Sequence, residues 1–133
     1  KNAVTVKAKS VTVSTVWQDV LEIGLQCAVK ITASAGDSSL GSTNYTGFVI
    51  AYAATNNREV LHGDIEQKTP NELLLLQWKA ASGGITLDSR TLQIKSLSSG
   101  LNDPIIIHAE IYGGNTTSED STAVGGNVNF LLS

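Results

Sequence analysis

The residues best equipped for chemistry are two histidines and the acids beside them. In His62-Gly63-Asp64-Ile65-Glu66, alternate positions put His62, Asp64 and Glu66 on one face of a strand, and His108 with Glu110 makes a second same-face pair. Brought side by side, these imidazole and carboxylate groups would form a metal site or an acid–base pair. The plainer alternative is the outward polar row of antiparallel strands, and nothing in the sequence makes the two segments neighbours. His62, Asp64 and Glu66 therefore stand as a candidate ligand face, with no catalytic, metal or cofactor residue assigned.

Other reactive arrangements have no signature. The chain holds no Gly-x-Ser-x-Gly elbow, phosphate-binding loop, Cys pair or His-Glu-x-x-His, so it is expected not to be an enzyme and to carry no cofactor. Asp37, Asp103, Glu119 and Asp120 lack calcium-loop spacing and suit solvated turns. Cys27 is the single cysteine, which excludes an intrachain disulfide, and its apolar parity marks a buried thiol. Tyr52, Trp78 and Tyr112 lie in strand-like segments; an aromatic platform for sugar or single-stranded nucleic acid around Tyr112 competes with core or rim packing. Asn44-Tyr45-Thr46 and Asn115-Thr116-Thr117 are acceptor triplets, which makes Asn44 and Asn115 glycosylation sites in an exported chain of a glycosylating lineage.

These residues must be positioned by strands. From Leu21 to Ala33 every second residue is apolar (Leu21, Ile23, Leu25, Cys27, Val29, Ile31, Ala33), a period-two row that presses one face on a core. At about 3.3 Å per residue the stretch would reach on the order of 40 Å, so it is either a long central strand or one that bends from one sheet to another. Residues 45–54 and 58–66, joined at Asn56-Asn57, read as a hairpin. Thr69, Pro70 and Glu72 supply helix-start signals and Gly83 a stop, while the four leucines from Leu73 followed by Gln77 and Trp78 suit a buried strand. The strand is favoured because the rest of the chain is β, with a short helix near 70–82 as the alternative. Ile105, Ile107, Ala109 and Ile111 form another half-buried row whose outer parity is Ile106, His108, Glu110 and Tyr112, and Val128, Phe130 and Leu132 close the chain on a strand. About eight strands without βαβ alternation imply one all-β domain, a two-sheet antiparallel sandwich of immunoglobulin-like or jelly-roll type.

Composition agrees. The 133 residues are 41% hydrophobic and 16% charged, a folded β protein with polar loops and no run long enough to span a membrane. A net charge of −3 is too mild for a nucleic-acid surface. The charge is unevenly spread: residues 1–18 carry Lys1, Lys7 and Lys9 and no acid, and the remaining six basic and twelve acidic residues carry −6. A chain that opens on Lys1 and holds no Met suits either a trimmed precursor or an excised piece.

The amino end alternates out of phase, with Val4, Val6 and Ala8 on even positions and Val11 and Val13 on odd ones; a bulge or break near Lys9 and Ser10 would absorb the slip. Both ends are apolar alternating segments, and an open apolar edge invites another chain. Ala-Val-Thr-Val-Lys-Ala-Lys at the amino end, Gly-Asn-Val-Asn-Phe-Leu-Leu at the carboxyl end and a disulfide-poor sandwich between them resemble the subunits of donor-strand filaments, chaperone–usher pilins and archaeal surface threads. Many pilins link two strands by a disulfide, which this chain cannot form. The resemblance implies residues 1–14 as an N-terminal arm or donor strand, with Val4, Val6, Ala8, Val11 and Val13 inserted into a neighbour, and residues 15–133 as the sandwich body. It implies an extracellular homopolymer at the cell surface. The alternatives are a virion capsid or decoration protein of jelly-roll type, and a binding module for carbohydrate or protein that contacts a host surface or glycan.

Overall fold

The stretch from Leu21 to Ala33 keeps its alternation but is not one strand. The computed structural model describes residues 4–36, 46–56, 60–69, 73–80, 88–97, 104–113, 115–116, 123–124 and 127–132. Strand β1 spans Val4–Val11, and β2 (Gln18–Ile23) and β3 (Cys27–Gly36) then divide the stretch between two sheets. Gly24, Leu25 and Gln26 turn the corner, with Gln26 in the left-handed region at φ 57°. An inward row that folds around the edge of a core still faces inward, so one parity serves both sheets: Leu21, Ile23, Cys27, Val29, Ile31 and Ala33 are all buried.

The corner is held by backbone contacts that leave no room for a side chain. Gly24 N–H donates to the Asn127 carbonyl at 2.5 Å, and a Cβ on Gly24 would lie 2.8 Å from Asn127 N. The Thr55 hydroxyl, buried beside it, donates to the Gly24 carbonyl at 2.8 Å and accepts from Cys27 N–H at 3.2 Å. A buried hydroxyl is costly unless paired, and here its pairing ties the two sheets together.

The remaining strands are β4 (Thr46–Thr55), β5 (Val60–Gln67), β6 (Leu74–Ala80), β7 (Asp88–Ser96), β8 (Ile105–Gly113), β9 (Asn115–Thr116), β10 (Ala123–Val124) and β11 (Val128–Phe130). One sheet has five strands in the order β1-β8-β3-β4-β5, the other four in the order β11-β2-β7-β6, and β9 pairs with β10. All pairings are antiparallel. The protein is thus an all-β, two-sheet sandwich, with the expected hairpin present as β4 and β5. Its core lies between the sheets, where Val11, Ile31, Val49 and Ile107 meet Leu21, Ile23, Leu74, Leu92 and Ile94.

One local expectation holds and one is corrected. Residues 74–80 form a strand and not the alternative helix: Leu74, Leu76 and Trp78 alternate into the core, and β7 supplies the hydrogen-bonding partner. Thr69, the expected helix cap, instead accepts from Phe48 N–H at 3.1 Å; residues 70–72 and 81–87 lie outside the described residues. Nor does a bulge absorb the phase slip in β1. Its register with β8 runs unbroken from Val4 opposite Tyr112 to Val11 opposite Ile105. Val11 and Val13 accordingly reach the core, while Val4, Val6 and Ala8 point to the opposite, outer face.

Candidate functional site

The registers place the outer-face residues of the five-stranded sheet in rows that cross it from edge to edge. Val4, Tyr112, Ala28, Ala54 and His62 are successive cross-strand partners; Val6, Glu110, Lys30, Tyr52 and Asp64 form the next row, and Ala8, His108, Thr32, Ile50 and Glu66 the third. The candidate ligand residues His62, Asp64 and Glu66 therefore do share one parity of β5. They occupy the sheet edge opposite β1, however, and β3 and β4 separate them from His108 and Glu110 on β8. At about 4.8 Å per strand step the two sets stand roughly 14 Å apart, so the structure does not bring them together. Among the described residues no group of His, Cys, Asp and Glu is arranged to hold a metal ion.

The β5 end of this face is charged and internally paired. Glu66 and Lys68 form an ion pair; the Lys68 ammonium holds the Glu66 carboxyl below its ordinary range, and Glu66 raises Lys68 in return. Ile50, between Thr32 and Glu66 in the row, is only 4% exposed although it belongs to the outer face.

The β1 end is different in kind. Val4 is 41% exposed, Val6 61%, Ile106 53% and Tyr112 42%. All four face outward: Val4 and Tyr112 are partners, and Ile106 lies opposite Ser10 two residues along from Ala8. Val4, Val6 and Tyr112 cluster toward one end of this face, Ile106 lies toward the other with Glu110 and His108 between, and the set borders the side of β1 that no described strand pairs with. On the inner side of the same strand Thr5 and Lys9 are exposed, and Lys7 donates to Asn127 Oδ1 at 2.5 Å and to the Val128 carbonyl at 3.2 Å. The first half of β1 is therefore inverted relative to a sandwich strand, with its apolar row outside and its lysines inside. Such a surface can hold another chain.

The outer face of the four-stranded sheet carries a polar network beside a half-buried Leu75, which lies opposite Lys95. Gln77 donates to Gln93 Oε1 at 2.7 Å, Gln93 donates to Asp19 Oδ1 at 2.8 Å, and Lys79 reaches Asp19 Oδ2 at 3.3 Å. Those contacts, the Gln93 amide first and Lys79 after it, hold the Asp19 carboxyl below its ordinary range. Lys95 Nζ sits 5.0 Å from the centroid of the Trp17 ring, a cation–π distance.

Of the donor-strand residues, Val4, Val6 and Ala8 lie on the outer face and Val11 and Val13 in the core, all in β1 or just beyond it, and β1 is the edge strand of its own sheet. Asn115 lies in β9, opposite Val124, and Asn44 lies outside the described residues. The sequence reading assigns Ile106 no role, yet its signal is present: it shares the outer parity of 105–112 with Tyr112, two large apolar residues on a row that also holds His108 and Glu110.

No protein-family model and no curated protein matches the chain. Among solved structures it is similar to a tailspike protein from Acinetobacter baumannii bacteriophage Fri1, a capsular polysaccharide depolymerase, at 15% sequence identity and a TM-score of 0.67. The similarity covers 96% of this chain and 19% of that one, so this chain spans about a fifth of the tailspike's length. At that identity the likeness shows the fold.

Proposed function

We propose that this chain is a structural, non-catalytic β-sandwich module of a virion surface protein, held in its assembly by association of neighbouring copies at the β1 edge of the five-stranded sheet. The observation that carries this is the exposed apolar set Val4, Val6, Ile106 and Tyr112 beside an unpaired strand edge. The likeness to one part of a phage tailspike supports the virion setting. Sedimentation velocity and electron microscopy of the purified chain test it: discrete small oligomers that weaken on dilution are expected, and a monomer at every concentration removes the proposal.

A surface filament built by strand exchange is the second reading, favoured by one feature. β1 pairs with a single neighbour, β8, and yet seats Val11 in the core at its carboxyl end, with Val13 just beyond. That is the anatomy of a strand a neighbour could supply, through Val4, Val6, Ala8, Val11 and Val13. Long filaments in the microscope, lost on deletion of residues 1–14, would establish it in place of the first.

A further inference from the structure

The geometry points to a second copy of this chain as the occupant of the β1 edge, paired antiparallel about a two-fold axis through Val6, so that the five-stranded sheets of two chains become one continuous sheet. This rests on the association proposed above and deepens it by naming the partner, the strand and the register. Antiparallel partners point to the same face, so an axis through Val6 sets Val6 against its own copy, Val4 against Ala8 and Thr5 against Lys7. The outer row is then apolar against apolar and the inner row polar against polar. β-branched cross-strand pairs of this kind are favourable, and like charges set opposite one another are not.

Charge selects that register from its neighbours. An axis through Lys7 would oppose Lys7 to its own copy and Thr5 to Lys9; one through Ala8 would oppose Lys7 to Lys9. An axis through Thr5 overlaps only Val4 to Val6 of the described strand. The axis through Val6 is thus the one with the longest overlap and no lysine facing a lysine. Lys7 is moreover drawn back from the seam, its ammonium hydrogen-bonded to Asn127 Oδ1 and the Val128 carbonyl on the other sheet. Val6, the residue on the axis, is the most exposed large apolar residue of the strand, at 61% against 41% for Val4. A two-fold contact is isologous and closes on itself, so the lysines that forbid other registers also prevent open-ended addition.

Cysteine pairs read the register directly. Directly opposed residues have Cα atoms about 5 Å apart, within disulfide reach, and the native Cys27 is buried. Under mild oxidation the Val6→Cys chain should cross-link to a covalent dimer, Val4→Cys alone and Ile106→Cys alone should not, and Val4→Cys mixed with Ala8→Cys should. In sedimentation Val6→Lys should weaken dimerisation by about 10-fold or more, with an unchanged circular dichroism spectrum showing that the variant folds. Cross-linking through Ile106→Cys without Val6→Cys would mean that outer faces stack; this register would fall while association at the β1 edge stood. Polymers longer than a dimer in which Val6→Cys stays unlinked would overturn it in favour of strand exchange. A wild-type chain that is monomeric at every concentration would remove both proposals.

Discussion

The outer faces of the two sheets are built from the same kind of strand and treat their exposed groups in opposite ways. On the four-stranded sheet, Gln77, Gln93, Asp19 and Lys79 are linked in one chain of hydrogen bonds, and Lys95 covers the Trp17 ring. Each of these groups has its partner in the same molecule, and the exposed apolar residues of this sheet, Leu97 and Leu131, lie just past the ends of β7 and β11. The five-stranded sheet is complete only toward β5, where Glu66 pairs with Lys68 and Ile50 is buried. Toward β1 its apolar residues have a neighbouring strand on one side and, among the described residues, none on the other. A face that satisfies itself has little to gain from a partner, and a face that stops at an unpaired apolar edge has a good deal to gain.

The sharpest test of this division is Ile50→Ala. If the middle of the five-stranded outer face is closed as its burial indicates, the change should cost about 2–4 kcal/mol in urea unfolding at constant m. A loss near zero would make Ile50 an ordinary surface residue and merge the two ends of the face. Gln93→Ala comes next: it removes two hydrogen bonds on the other sheet and should cost about 1 kcal/mol, since the freed groups of Gln77 and Asp19 can turn to water.

Asp19 makes a smaller, pH-dependent contribution. Its carboxyl is held down by the Gln93 amide and then by Lys79, so its folded pKa lies below the unfolded one. The stabilisation is therefore present above the unfolded pKa and lost as pH falls through the folded one. Its side chain is 39% exposed, which screens the interaction, and the expected size is a few tenths of a kcal/mol. Asp19→Asn should flatten that part of the acid limb of stability against pH, and an unaltered limb would show the network to be weaker than its distances. On the other face, Lys68→Met should move the Glu66 titration upward, as followed by carboxyl chemical shifts. Val6→Lys should have the least effect on stability of the monomer, within about 0.5 kcal/mol; a larger loss would mean that the β1 edge contributes to the fold of a single chain.

Much of this architecture is legible in the residue pattern. The alternation of Leu21 to Ala33 and of Ile105 to Ile111 marks the core faces of β2, β3 and β8, because burial of one strand face leaves a period of two that any register must respect. The corner at Gly24 to Gln26 was harder to see, since a row that bends around a core keeps its parity on both sides. The opposed signals around 69–80 were decided by β7, a partner far along the chain. For the ligand face the parity is legible and the neighbourhood is not: His62, Asp64 and Glu66 alternate along β5, and strand order, which local pattern does not carry, sets them at the far edge from β1 with two strands between them and His108.

By itself, then, the amino-acid sequence determined which residues alternate, that they make an all-β sandwich, and that the amino end carries two apolar rows out of phase. Only the tertiary structure decided which row is buried. Because β1 runs straight along β8 without a bulge, Val11 enters the core and Val4, Val6 and Ala8 are left outside. Local sequence specifies on which side of a strand a residue lies, whereas the strand beside it and the sheet above it determine whether that side is covered.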